Sequence, residues 1–510
     1  MINIDFLTLK AFLNENIDFI IGARVQKIQQ PTRRDFILNL RNYSENKKLY
    51  INIMPNIYHI CFINKESELK RNIQIPQNPP MFCMLLRKYL DGAIITDACT
   101  KNNDRILELH FDIVDEYSCN KSLCLTVELM GKHSNVILYD RNDFIIIGCA
   151  HNVGSEKSRY RELKGGLKYI YPPHSGEIRL SDELKVQFNN ISDEKIKYYL
   201  STEEYRPAIK DDKYTLFAEL LPSSNEEKCV NSMLDNYYSE YQLQFMISSL
   251  KNKLFEVVNS KYKKVTNSLL KIKNNENKYE KANLYKKYGE LITSNLYLKS
   301  DYIKNIKLFD YEKNEDVLIP LDSAKTMSEN AQNYFKLYSK SKNAKEKALE
   351  FEGSLNIKKN YLESLMYSIE SASSMNELKD IEIELGINNT DNKQNKQIHN
   401  EIMKVRIKNF DVYIGKNNKQ NDYIVSKLSK DNDYWFHTHN CAGSHVLLQV
   451  RENEPDESVI FECAKLARIY SSAKQPSKVG VIYTKRKYVK KPPSSPLGYV
   501  TYKNETEILI

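Results

Sequence analysis

From Gln242 onward, apolar residues recur three and four positions apart, at Leu243, Ile247, Leu250, Leu254, Val258, Val265, Leu269 and Ile272, with a slip near Val258. A second run does the same through Ala331, Phe335, Tyr338, Leu349, Leu355, Leu362, Leu365 and Ile369. The spacing puts one apolar stripe on each of two long, otherwise polar helices, and each stripe needs a partner. Only 15 Gly and 15 Pro occur in 510 residues, which favours long regular elements. The reading is an antiparallel coiled-coil arm over residues 240–388, with a short hairpin at 305–321 ending in Ile319-Pro320-Leu321. At 1.5 Å per residue a helix of about 45 residues reaches roughly 65–70 Å. An ordinary long helical bundle is the competing assembly.

A chain of 510 residues exceeds one ordinary domain, so the expectation is a multidomain α+β protein. Residues 1–177 alternate β-type runs (from Asp35, Leu49, Ile106, Leu123 and Asn135) with turn signals, and helices are expected at about 5–20 and 80–91. Residues 178–239 read as a small module of short helices with little β signal. Residues 389–402 are polar and without period, hence a linker. Residues 403–510 form a last α+β domain with strands at Phe410, Ser444 and Val479 and a helix at about 458–472.

Hydrophobic residues are 41% and charged residues 28%, a foldable composition, and no stretch approaches a membrane-spanning length. Asp5 and Lys10 interrupt the place where a signal peptide needs its apolar core, so a cytoplasmic protein is expected. Nine scattered cysteines form no C-x-x-C pair; they read as reduced, mostly buried thiols rather than a disulfide framework or a zinc site.

With 75 Lys+Arg against 66 Asp+Glu, the net charge is +9. Between residues 465 and 500 there are Lys or Arg residues at 465, 468, 474, 478, 485, 486, 487, 490 and 491, and no acid. Aromatics interleave with these cations, which suits phosphate neutralisation and stacking on unpaired bases; a solvated basic edge strand is the alternative. Asn103-Asp104-Arg105 is either a local Asx turn with an exposed Arg, or an Arg held for phosphate or base contact by a carboxylate. Glu128-Leu-Met-Gly-Lys132-His133 runs from a strand into a turn that places a cation and an imidazole beside exposed amides, without the spacing of a phosphate loop. His437, His439 and His445 include an H-x-H pair, but nothing at ligand spacing completes a metal site. No catalytic motif or nucleotide fingerprint occurs, so no catalytic residue, metal or cofactor is assigned.

Several strings, in order, resemble one family. They are Pro79–Leu90, Asn103–Ile106, Glu128–Asn135, Glu329–Phe335, Gly415–Tyr423, Trp435–Thr438, Gly443–Val446 and Tyr488–Pro492. Together they are similar to the NFACT family and span nearly the whole chain. The resemblance implies an NFACT-N domain, a helix-hairpin-helix-like module at 178–239, a coiled-coil arm and a C-terminal NFACT-R RNA-binding domain. It also implies a non-enzymatic role in ribosome quality control. Such a protein binds a large ribosomal subunit carrying peptidyl-tRNA, recruits charged tRNA, mainly alanyl-tRNA, and supports untemplated alanine tailing that marks the chain for proteolysis. A small S4-domain RNA-binding protein is an implied partner, and a membrane is not. The tRNA-contacting positions implied are Asp5, Arg87, Lys88, Asp104, Arg105, Lys132 and His133; those contacting RNA in the last domain are Trp435, His437, His445, Lys485, Lys487, Lys490 and Lys491. His439 stands where the family commonly has Lys, and the linker is short and weakly basic.

Two other functions compete. A fibronectin-binding adhesin requires export. A glycosylase of the formamidopyrimidine type, whose fold the first domain resembles, requires an N-terminal proline nucleophile, whereas Ile2 follows Met1 here.

Overall fold

The computed structural model describes residues 4–114, 120–173, 204–298, 301–387, 402–451, 453–473 and 478–510, with Ser192, Glu194 and Tyr198. They belong to two compact units, Met1–Met246 and Ile247–Ile510.

The first unit is built from two helix-then-sheet repeats. Helix α1 (Phe6–Ile20) is capped by Asp5, and Gly22 at φ 83° turns the chain into the antiparallel sheet β1 (Arg24–Thr32), β2 (Asp35–Asn42), β3 (Glu45–Asn52) and β4 (His59–Ile63). After α2 (Lys65–Lys70), helix α3 (Met81–Leu90) follows Pro80. Gly92 at φ 82° then leads into β5 (Ile95–Thr100), β6 (Ile106–Val114), β7 (Asn120–Glu128), β8 (Asn135–Asp140) and β9 (Ile146–Cys149). Only glycine takes that backbone conformation without a steric penalty. The two repeats join where those glycines stand: Gly22 N–H donates to Ile95 O (2.8 Å) and Gly92 N–H to Val25 O (2.8 Å), a reciprocal arrangement. Strand alternation sends Leu107, Leu109, Leu123, Leu125 and Val127 into the common core with Leu9 and Phe12 of α1. Glu108, His110, Cys124, Thr126 and Glu128 occupy the opposite face and are buried there.

Residues 178–239 depart from expectation. Those from 178 to 203, where the helix-hairpin-helix-like module would begin, lie outside the described residues except at the three single positions. The described part carries a three-stranded sheet of β10 (Ala208–Lys210), β11 (Lys213–Thr215) and β12 (Asn225–Glu226). The long helix α4 (Val230–Asn274, 45 residues) starts ten residues before the expected arm boundary. Its first turns carry core side chains, Val230, Met233, Leu234, Tyr237 and Tyr238. The Glu15 carboxylate accepts hydrogen bonds from Val230 N (2.6 Å) and Asn231 N (3.0 Å), satisfying amides that a helix start leaves unpaired. Arg71 Nη1 meets Asp235 Oδ1 at 2.6 Å with both side chains out of water.

In the second unit α5 (Glu276–Ser294), β13 (Asn305–Asp310), β14 (Glu315–Pro320), α6 (Met327–Ser371, 45 residues) and α7 (Met375–Glu384) follow. The helix α6 runs back along α5 and α4: Phe335 packs on Gly289, Tyr262 OH donates to Glu363 (2.9 Å) and Lys251 Nζ to Glu370 O (2.9 Å). The expected hairpin is there, closed by Ile292, Ile306, Leu308, Ile319, Met327 and Ala331. The expected linker lies outside the described residues except for Ile402.

The last domain places α8 (Asn418–Tyr423) and α9 (Glu457–Ile469) beside an antiparallel sheet. In spatial order the sheet is β15 (Met403–Ile407), β16 (Phe410–Ile414), β18 (Val446–Leu448), β17 (Tyr434–Thr438), β19 (Gly480–Lys485) and β22 (Thr506–Leu509). Strands β20 (Val489–Lys490) and β21 (Thr501–Tyr502) form a separate pair. Val459, Cys463, Ala464 and Ala467 of α9 pack on Val412, Phe436, Val446 and Val481. Among the described residues no helix is long and apolar enough to cross a membrane.

Removing one partner of a buried ion pair leaves the other charge out of water, at a cost of about 3–5 kcal/mol. Arg71→Ala is therefore expected to lower the urea midpoint of the first unit sharply, read by far-ultraviolet circular dichroism. An unchanged midpoint would show that the pair contributes nothing.

Candidate nucleic-acid interface

The Asn103-Asp104-Arg105 turn is built by two residues at positive φ, Asn102 (57°) and Asn103 (47°), a conformation asparagine tolerates better than most side chains. Asp104 Oδ1 accepts from the Arg105 backbone amide at 2.7 Å and stands 3.7 Å from Arg105 Nε. The carboxylate thus hydrogen-bonds to the backbone and pairs with the guanidinium by charge alone, a correction to the expected carboxylate-held guanidinium. Arg105 Nη1 donates to Tyr58 OH (3.3 Å), and its side chain is one-third exposed. The Tyr58 ring also lies beside Gly131, which sits at φ 62° and opens the Gly131–His133 turn. The pairing of β6 with β7, Ile106 opposite Glu128 and Leu129 N–H donating to Arg105 O (2.9 Å), brings together these two segments that the sequence separates by 26 positions.

Asp5 is buried rather than solvated. Its Oδ1 accepts from Thr8 N at 2.7 Å, capping α1. Burial pushes its pKa up, opposed by the bonds from Thr8 and by the positive charge of Arg105, so the Asp5 carboxylate and Arg105 feel each other directly. Asp5, Arg105, Asp104 and the Lys132-His133 turn form one neighbourhood, in which Lys132 and His133 are exposed. Arg87 stands apart: its Nε donates to Ile28 O (2.7 Å), so it ties α3 to β1. Lys88 is exposed and lies near the ring of Tyr89.

Beside the Gly131 turn opens a cleft of about 1290 Å³. Its floor includes Phe82, Leu85, Met130 and Ile147, and its walls carry Arg33, Arg34, Lys132, His133, His151, Lys157 and Lys164. Among the described residues no Asp or Glu lines it. The pKa of His151 is lowered, first by burial and then by the charges of Arg34 and Arg33, so this imidazole stays neutral beside the cations. Arg161 also lines the cleft, but its guanidinium is committed: it donates to both oxygens of the buried Glu128 carboxylate, at 2.7 and 2.6 Å. Tyr169 OH completes that carboxylate's shell at 2.8 Å. Sequence reading missed Arg33, Arg34, Lys157 and Lys164. They come from two segments without a motif; residues 157–168 hold five Lys or Arg against one Glu, a signal that the sequence did offer, and only the sheet connections bring both segments to Lys132.

The C-terminal predictions divide. Trp435 is 1% exposed and His445 3% exposed, with ring centroids 5.2 Å apart; neither offers a face to a base. Trp435 fills a core with Val425, Ile482 and Val489 and His445 is buried edge-on against its ring, a correction to the expected RNA contacts of these two residues. His437 is half-buried and lies parallel to Trp435 at 5.8 Å, and burial lowers its pKa to about 4. The acid-free window is less free than it reads: Lys465 pairs with Glu462, Lys485 with Glu454 and Lys491 with Asp422. The Arg486 guanidinium donates to Val425 O and Val489 O. Lys487 and Lys490 stay exposed, Lys487 beside the ring of Tyr488. His439 Nδ1 is 3.0 Å from Glu507, not in a metal site.

With fold and site described, the comparisons with known proteins place the chain. A family profile described as the NFACT N-terminal and middle domains matches residues 5–202 and 179–401. Another, the NFACT protein RNA binding domain, matches residues 401–504. The chain belongs to the NFACT family. Among curated proteins it is similar to the Rqc2 homolog RqcH of Bacillus subtilis, 28% identical over 554 residues, covering 98% of this chain and 95% of that protein. It is likewise similar to the Rqc2 homolog RqcH of Streptococcus suis, at 29% identity with 98% and 96% covered. Among solved structures, the N-terminal part of the fibronectin/fibrinogen-binding protein of Streptococcus suis aligns at 28% identity with a TM-score of 0.38, covering 47% of this chain and all of that one.

Two predictions follow from the geometry. Lys132→Ala, Lys157→Ala and Lys164→Ala combined should weaken RNA binding and flatten its dependence on salt by about 2–3 in the log–log slope, since each phosphate contact contributes roughly 0.7–0.9. A filter-binding titration at several salt concentrations checks this, and an unchanged slope would place RNA elsewhere. The second concerns acid. His437 and His445 both have lowered pKa values in the folded state, whereas unfolded imidazoles protonate near about 6.5. The unfolded state therefore binds more protons as pH falls from about 6.5 toward 4, and folding stability drops across that window. Fluorescence of Trp435, the single tryptophan, should report a lower unfolding midpoint at pH 5 than at pH 7, and His437→Gln should reduce the difference.

Proposed function

We propose that this protein is a ribosome quality control factor. In this reading it binds obstructed large ribosomal subunits that carry peptidyl-tRNA and recruits charged tRNA, chiefly alanyl-tRNA, for untemplated alanine tailing of the stalled chain. The observation that carries the reading is the acid-free cationic cleft adjoining the Tyr58, Arg105 and Gly131 cluster, in a chain alike along its length to proteins named Rqc2 homolog RqcH. Cations lining a cleft neutralise phosphates and position an RNA without reading its sequence; Arg105, one-third exposed and oriented by Tyr58, is suited to a specific contact. Peptide-bond formation belongs to the ribosome in this scheme, and the protein acts as a non-enzymatic positioning factor. The paired helices α4, α5 and α6 serve as a coiled-coil arm toward the subunit, and the C-terminal domain adds RNA contacts through Lys487 and Lys490. A small S4-domain protein is a further partner in this scheme.

Replacing Arg105 by Ala removes one long hydrogen bond and a partly exposed ion pair with Asp104, together a loss of about 1 kcal/mol. The variant should fold, melt close to the wild type and co-sediment with large subunits, yet fail to recruit tRNA or build alanine tails. Asp5→Ala should instead lose about 0.5–2 kcal/mol with the helix cap. Normal tail length in Arg105→Ala would overturn the assignment, and a collapsed melting temperature would make the residue structural.

A further inference from the structure

The outer face of β5–β7 gathers chemistry that this function does not use. Cross-strand register sets Asp97 opposite His110, Cys99 opposite Glu108 and His110 opposite Cys124, with a bulge between Ile95 and Asp97 in β5. One potential ligand atom from each of Asp97, Cys99 and His110 lies within 4.8 Å of the other two. The His110 side chain is 5% exposed, and its Nε2 is 3.2 Å from Glu108 Oε2. Its Nδ1 is 3.2 Å from Asp97 Oδ2 but makes no hydrogen bond of adequate geometry, an orphaned buried nitrogen aimed at the other two side chains.

We infer that Asp97, Cys99 and His110 form a binding site for a divalent metal ion of the zinc class. One thiolate, one imidazole and one carboxylate are a donor set that suits zinc, with a fourth position left to water on the side where Asp97 is more than half exposed. Ligand atoms in a tetrahedral zinc site stand roughly 3.3–3.8 Å apart given bonds of about 2.0–2.3 Å, so small side-chain rotations close the triad. Glu108 is the orienting carboxylate. Its Oε1 accepts from Tyr139 OH (2.9 Å) and Tyr171 OH (2.7 Å), which leaves Oε2 to accept from His110 Nε2–H and turn Nδ1 toward the metal, the arrangement that fixes a histidine ligand's tautomer. A second triad, Glu108, His110 and Cys124, is equally compact but wholly buried, and its carboxylate is already occupied by the tyrosines. Lys101 lies 3.5 Å from Glu108 Oε2 and also interacts with Cys99. Its charge disfavours a cation at Glu108, and its partly exposed stem lets it swing from Cys99. Imidazole and thiol ligands hold a metal only once their protons have left, so binding tightens as pH rises. The ion would staple β5 to β6, the hairpin whose turn carries Asp104 and Arg105. Ligands contributed by facing strands leave no C-x-x-C signature, so sequence spacing could not reveal the site.

Cobalt(II) titrated into the full chain tests this directly. The expected result is one equivalent bound, with a thiolate-to-cobalt charge-transfer band and intense visible bands of tetrahedral coordination, displaced by zinc. Cys99→Ser should abolish the charge-transfer band and Cys124→Ser should keep it, with both variants checked for wild-type melting in the absence of metal. Zinc should raise the melting temperature of the wild type and not of Cys99→Ser. No charge-transfer band, a band that survives Cys99→Ser, or one lost only in Cys124→Ser would each overturn the proposal.

Discussion

The Glu128 carboxylate, entirely out of water at the end of β7, is the constraint on which the cationic cleft depends. A buried carboxylate is costly unless its charge is matched and its oxygens are filled, and Arg161 does both with a two-pronged contact. That contact draws residues 151–171 across the outer face of the second sheet, where Val153 pairs with Leu163 and Tyr169 stacks on Tyr139. Lys157 and Lys164 flank Arg161 in sequence, so the neutralised arginine carries two unneutralised lysines to the cleft wall. Structure and function are divided between neighbours: one cation is spent inside the fold and the flanking ones are presented.

The same division recurs at the Asp104–Arg105 turn. Asp104 holds the backbone and Tyr58 steers the guanidinium, while the reciprocal joining of the two repeats at Gly22 and Gly92 brings β1–β4 and β5–β9 into one core. Asp5 begins the first repeat and Arg105 lies in the second, so their mutual influence exists only because the repeats are joined. In the last domain Trp435 and His445, which resemble part of a stacking surface, are instead buried, while Lys487 and Lys490 are exposed.

Much of this was legible in the residues, for identifiable reasons. Helices α1 and α3 begin and end at strong local signals, Asp5 as cap, Pro80 at the entry and glycines at the exits. The long helices followed from a stripe with period near 3.6, and the hairpin between them from the strand-and-turn pattern ending in Ile319-Pro320-Leu321. Strands β1 and β5 escaped because their sequences, Arg24–Thr32 and Ile95–Thr100, are rich in polar residues and interrupted by bulges that break alternation. The true start of α4 escaped because Val230–Tyr241 is buried on several sides, so no single stripe marks it. The basic run at 157–168 was a visible signal for the cleft, but its convergence with Arg33, Arg34 and Lys132 is made by tertiary structure. Burial of Trp435 and His445 was hidden because an aromatic between polar residues reads equally as a stacking platform or as core.

The central claim is that this fold positions tRNA on a large ribosomal subunit. The most direct measurement is sequencing of RNA crosslinked to the protein in living cells. Recovered RNA should be dominated by large-subunit ribosomal RNA and tRNA, with alanine isoacceptors over-represented among the tRNAs. RNA indistinguishable from an untagged control, or spread over messenger RNA without tRNA enrichment, would contradict it.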